Sequence, residues 1–184
     1  MSKIPFTIED TLFIDCPTSF EGKVIVPSGV TEIGDKALMF CGKVNEIELP
    51  DSLEAIGFCA FLGCDFKAIA IPDKCSYVAD AAFTGCRSLK EVDLPNGMIV
   101  VAPSLFSDCV ALERVGIPDS IRIIREGAFA GCESLKSVKL PSGLEKLDAM
   151  AFAGCSSLKE VTIPDACRYL CYGAFKECTS LERA

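Results

Sequence analysis

The sequence predicts an α/β repeat solenoid: about seven coils of 23 residues, each with short parallel strands and a short helical or 3₁₀ turn, and each burying its face only against its neighbours. Three observations carry this. Pro27, Pro50, Pro72, Pro95, Pro118, Pro141 and Pro164 recur at intervals of 23, 22, 23, 23, 23 and 23 residues. Fourteen residues after each proline stands a cysteine: Cys41, Cys64, Cys86, Cys109, Cys132, Cys155 and Cys178. Eleven residues after each stands Leu38, Phe61, Phe83, Phe106, Phe129, Phe152 or Phe175, usually preceded by alanine.

Residues 1–26 do not carry the full repeat and read as an N-terminal cap. Phe6-Thr7-Ile8 and Leu12-Phe13-Ile14 are apolar alternations around an acidic turn, the pattern of a hairpin. A terminal unit of this kind closes the open end of the first coil. Residues 27–184 are the repeats, and the two parts form a single continuous domain. Within each coil, as in Leu135-Lys136-Ser137-Val138-Lys139-Leu140, the Val-x-Leu pair has the period of a strand. The following proline ends that strand, and an Asp, Ser or Asn after it favours a turn. Ile121 and Ile124 then point inward from a second extended segment. Ala128-Phe129-Ala130-Gly131-Cys132 turns the chain, and one helical or 3₁₀ turn ending at glycine is expected there. The phenylalanines should stack as a spine. The one indel follows Cys64, and it puts Phe66 at a position that other coils give to leucine. The last coil stops at Leu181-Glu182-Arg183-Ala184, before its Val-x-Leu strand, leaving an end able to pair with further sequence or with a second copy.

The net charge of −8 and the absence of a basic cluster argue against nucleic acid or an anionic membrane as partner. With no histidine, acid–base chemistry would fall to carboxylates, lysine, tyrosine or cysteine, which disfavours catalysis. No apolar run reaches the ~20 residues of a membrane span. Met1-Ser2-Lys3-Ile4-Pro5 leads into foldable sequence without a signal-peptide core.

Seven of the twelve cysteines share one repeat phase. Stacked residues lie ~4.8 Å apart with parallel Cβ bonds, a poor arrangement for disulfides. The expectation is a column of reduced, buried thiols packing as small hydrophobes. Cys75 and Cys167 replace aliphatic residues such as Ile121. Cys16, Cys59 and Cys171 fall outside the core phases and are the candidates for reactivity. Reduced thiols and the lack of a signal core point to a reducing, cytoplasmic compartment.

No phosphate loop, nucleophile–base set or Cys-x-x-Cys spacing is present, so no catalytic residue, metal site or cofactor is expected. The informative positions are those that are apolar without the repeat requiring it. Five residues after each proline stand Glu32, Ala55, Tyr77, Val100, Ile123, Lys146 and Tyr169. Ile99 adjoins Val100, and Phe58 stands where other coils carry Asp35, Asp80 and Glu126. Stacking would make Phe58, Tyr77, Ile99, Val100, Ile123 and Tyr169 a candidate stripe for binding a protein partner. The bland alternative is a segment buried on both sides under a loop or a neighbouring subunit, or an extended one that simply tolerates valine and isoleucine. The Val-x-Leu strands offer a second surface, varied and mixed in charge, as at Lys90, Glu91, Asp93, Glu113 and Arg114.

The pattern Leu-x-x-Val-x-Leu-Pro, Ile-x-x-Ile, Ala-Phe-x-Gly-Cys-x-Ser-Leu resembles the leucine-rich repeats of the BspA-like (Treponema pallidum) class over about residues 20–184. The resemblance implies a right-handed curved solenoid, a role in protein–protein interaction or adhesion rather than catalysis, and a surface or secreted location. The rival expectation is a structural segment that assembles end to end.

Overall fold

The structure, a computed structural model, describes residues 7–182. Phe6 of the expected hairpin and Arg183-Ala184 of the last coil lie outside the described residues. Coils 1 to 7 are numbered here from Pro27, Pro50, Pro72, Pro95, Pro118, Pro141 and Pro164. Two interrupted ladders of short parallel strands and a column of turns make up the stack.

The first ladder is built from the Ile-x-x-Ile segments. The antiparallel hairpin β1 (Thr7–Glu9) and β2 (Leu12–Asp15) starts it. The ladder continues through β4 (Glu32–Ile33), β6 (Ala55–Ile56) and β7 (Tyr77–Val78). It resumes as β9 (Val100–Val101), β11 (Ile123–Ile124), β12 (Lys146–Leu147) and β13 (Tyr169–Leu170). Register is fixed by side-chain alternation: Ile33, Ile56, Val78, Val101, Ile124 and Leu147 are buried, and the residue before each faces outward.

The second ladder holds the Val-x-Leu segments. It comprises β3 (Gly22–Ile25) with β5 (Val44–Glu48), then β8 (Glu91–Asp93) with β10 (Arg114–Gly116). Single parallel bridges join Ala68 to Glu91 and Ser137 to Glu160.

The turn column is the continuous element. The amides of Phe61, Phe83, Phe106, Phe129 and Phe152 donate to the carbonyls of Ala82, Leu105, Ala128, Ala151 and Ala174 at 2.7–3.0 Å. The rings stack: Phe61 to Phe83 at 5.1 Å, Phe83 to Phe106 at 5.2 Å, Phe106 to Phe129 at 5.6 Å, Phe129 to Phe152 at 5.0 Å and Phe152 to Phe175 at 5.6 Å. These rings are fully buried except Phe175, which is half-buried on the last coil. Phe66 fills the shortened coil, edge-on to Phe61 at 5.9 Å and to Phe83 at 6.5 Å.

The expected helical or 3₁₀ turn does not form, and the fold is a parallel β-solenoid of about seven turns with no helix among the described residues, not α/β. The hydrogen bonding shows why. The amides of Ala128, Ala130 and Cys132 bond back within their own coil, to Arg125, Gly127 and Phe129, while the intervening amides of Gly127, Phe129 and Gly131 reach the next coil. A helix needs consecutive local bonds, and here every second amide is committed elsewhere. The alternation requires left-handed residues two before and two after each phenylalanine, as at Gly127 (φ 60°) and Gly131 (φ 73°). Coil 4 meets the same demand with Ser104 (φ 52°) and Asp108 (φ 57°).

Each thiol of the repeat phase has a defined acceptor. Cys86, Cys109, Cys132, Cys155 and Cys178 donate to the carbonyls of Phe61, Phe83, Phe106, Phe129 and Phe152 of the preceding coil at 3.1–3.2 Å. A small apolar residue with one weak donor is what this site takes. All twelve cysteines are free. Cys16 and Cys59, placed outside the core from their phase, are buried, at 2% and 6% exposure, while Cys167 and Cys171 are half-buried. Cys59 occupies the left-handed position two before Phe61, a phase that the turn folds inward in coil 2.

Candidate functional site

The backbone bonds of the first ladder locate a discontinuity. Along it, the residue seven after each proline donates its amide to the preceding coil: Gly34 to Phe13, Gly57 to Ile33, Ala79 to Ile56, Arg125 to Val101, Asp148 to Ile124 and Cys171 to Leu147, at 2.8–3.0 Å. The residue of that phase in coil 4 is Ala102, and no bond joins its amide to Val78. The same break occurs three residues earlier. Ser76 donates to Glu54, and Arg122 to Ile99, but Ile99 does not donate to Ser76. The first ladder is therefore open between β7 and β9, although the second ladder and the turn column both cross that junction. The opening coincides with Pro103, the one proline at its phase, which restricts the backbone of Ala102 before it.

A groove of about 360 Å³ lies at the opening, with Tyr77, Ile99, Val100, Ala102, Pro103 and Arg125 among its lining. Tyr77 is 62% exposed and Ile99 55%. Val100 and Ile123 are half-buried and directly paired in register, so the apolar surface runs on from coil 4 to coil 5. Arg125 sits at one edge, where its guanidinium is 3.5 Å from Asp148.

Four of the six stripe residues thus form one surface: Tyr77, Ile99, Val100 and Ile123. The other two stand apart. Phe58, 43% exposed, belongs to coil 2, with Lys36 Nζ 5.9 Å from its ring centroid and its amide bonded to Asp35 Oδ1 at 2.7 Å. Tyr169 pairs with Lys146, which separates it from Ile123, and no described coil covers it. The sequence reading missed the open ladder and the roles of Ala102, Pro103 and Arg125. The unmatched phase of Pro103 was the available signal. It also missed Phe40, 61% exposed at φ 59°, in a phase that four later coils give to glycine.

The Val-x-Leu face has a different character. Its charges are paired across coils: Lys23 with Glu46 and Glu48, Arg114 with Asp93 and Glu91, and Lys136 with Glu113. Arg114 grips both oxygens of Asp93, at 2.6 and 2.8 Å, and this holds the carboxyl below its usual range. Among the described residues, no group of three or more His, Cys, Asp or Glu is placed to hold a metal ion. No helix among them is long and apolar enough to cross a membrane.

The chain matches the family model described as BspA type leucine-rich repeat region, in six copies, over residues 6–118 and 100–184. Among solved structures it is similar to a leucine-rich repeat protein from Bacteroides ovatus, with 31% identity, a TM-score of 0.77, and coverage of 97% of this chain and 55% of that one. It is also similar to the T. pallidum leucine-rich repeat protein, with 31% identity, a TM-score of 0.84, and coverage of 92% and 82%. A leucine-rich repeat protein from Eubacterium ventriosum shares the fold, at 23% identity and a TM-score of 0.85, with coverage of 94% and 50%. The chain thus spans about half the length of the first and third of these proteins. A comparison with curated proteins finds no match. Since the repeat model covers nearly all of it, the chain belongs to the BspA-type leucine-rich repeat family.

Proposed function

We propose that this solenoid is a non-catalytic scaffold that binds a partner protein through the groove at the junction of coils 3 and 4, in adhesion or partner recognition. The observation that carries the reading is the exposure of Tyr77 and Ile99 around the place where, among the described residues, the first ladder opens. Tyrosine and large aliphatic side chains at a concave site supply buried area at little conformational cost, and such anchors dominate protein interfaces. The Val-x-Leu face supports binding less, because its charges already satisfy one another.

The test is capture with the chain as bait under reducing conditions, using wild type, Tyr77→Ser/Ile99→Ser and, as control, Lys90→Ser/Arg114→Ser. A partner retained by wild type and the control but lost by the groove variant supports the reading. A partner that stays with the groove variant and leaves the strand-face variant refutes it. Truncating such an anchor costs about 2 kcal/mol, or roughly thirtyfold in Kd.

A further inference from the structure

Cys16 belongs to the cap, not to the repeat phase, and it lies 25 residues before Cys41. It follows β2, and its amide is bonded to Ala37 of coil 1 at 2.8 Å. The two thiols converge. Cys41 Sγ is 3.4 Å from the Cys16 carbonyl oxygen. Cys16 Sγ and Cys41 Sγ reach the same Pro17 carbonyl oxygen, at 3.8 and 3.9 Å. Further along the stack each repeat thiol meets a separate carbonyl, that of the preceding Leu38 or phenylalanine. Stacking also holds those Cβ bonds parallel, whereas Cys16 comes from a different local structure and has no such constraint. Cys16 is itself buried, but its neighbours Asp15 and Pro17 are both exposed, so a local opening of this segment suffices to bring its sulfur to solvent.

We propose that Cys16 and Cys41 are a redox-closable pair, which a small-molecule disulfide converts to an internal disulfide stapling the N-terminal cap to coil 1. The step balances in two exchanges. The Cys16 thiolate attacks one sulfur of the oxidant, whose S–S bond breaks, and the departing thiolate takes up a proton. The Cys41 thiolate then attacks the Cys16 sulfur and expels the second small thiol. The protein loses two hydrogens, and the oxidant is reduced to two thiols. Burial, and then the Cys41 thiol, push the Cys16 thiol up to about 12, so attack at neutral pH is slow.

The experiment treats the full chain with oxidised glutathione under native conditions, then denatures it, alkylates free thiols and maps the peptides. The expected result is one cross-linked pair, Cys16 to Cys41, with the other ten of the twelve thiols alkylated and the chain lighter by two hydrogens. The oxidised chain should also melt at a higher temperature than the reduced one, a shift that Cys16→Ser does not show. Twelve alkylatable thiols after treatment, glutathione retained on Cys16, or a cross-link between column residues such as Cys109 and Cys132 would each overturn the proposal.

Discussion

The thiol column makes the fold sensitive to alkali. Burial raises the thiols of Cys86 and Cys132 well above their ordinary value, those of Cys16 and Cys109 to about 12, and that of Cys75 to about 11. Cys64 is raised by burial. The contact between Cys155 and Cys178 raises the first thiol and lowers the second, so this pair adds no clear net cost. A folded pKa above the unfolded value leaves stability whole while both states are protonated. Above pH ~9 the unfolded chain releases protons that the folded chain cannot, and stability falls as pH rises toward the folded values. At pH ~10 each thiol raised by burial costs about 1.4 kcal/mol, so the six cost about 8 kcal/mol, within the range of the whole stability of an ordinary domain. Far-UV circular dichroism under anaerobic, reducing conditions should therefore show cooperative unfolding near pH ~10. The Cys132→Val variant should lose stability with pH less steeply, by about one proton. A full β signal after equilibration at pH ~11 would refute the reasoning.

Phe129→Ala removes a ring stacked on both sides and should cost about 3–5 kcal/mol, a fall in Tm of about 10 °C in a thermal melt. Gly154→Ala places a Cβ 3.5 Å from Gly131, which the space allows, but at φ 73°, so strain alone should cost about 1 kcal/mol in a urea titration. Conversely Asp108→Gly relieves a left-handed aspartate in the phase that Gly85 and Gly131 occupy, and should stabilise the chain by about 0.5 kcal/mol in the same assay. Tyr77→Ser/Ile99→Ser should leave Tm within about 2 °C of wild type, because Tyr77 and Ile99 are exposed, while removing partner binding in the capture experiment.

How far the sequence could be read depended on whether a feature repeats. Proline, phenylalanine and cysteine recur at fixed phases, and those phases lead to the spine of Phe83, Phe106 and Phe129 and to the thiols beside it. The helical turn was misjudged because Ala-Phe-x-Gly-Cys has the composition of a helix end, while the amides of Gly127, Phe129 and Gly131 are claimed by the next coil, a competition no local pattern reveals. The groove was half legible. Tyr77, Ile99, Val100 and Ile123 stood out as apolar exceptions, but the break in the ladder depends on how coil 4 sits on coil 3, and only Pro103 hinted at it. The convergence of Cys16 on Cys41 was hidden because the cap does not share the repeat's phase.

Native-state hydrogen exchange resolved to single amides tests the continuous spine and the opening of the first ladder together. The amides of Phe83, Phe106, Phe129 and Phe152 should be the slowest in the chain, with Arg122 and Arg125 protected beside them and Ile99 and Ala102 exchanging far faster. Equal protection of Ala102 and Arg125, or rapid exchange at Phe106 and Phe129, would contradict the account.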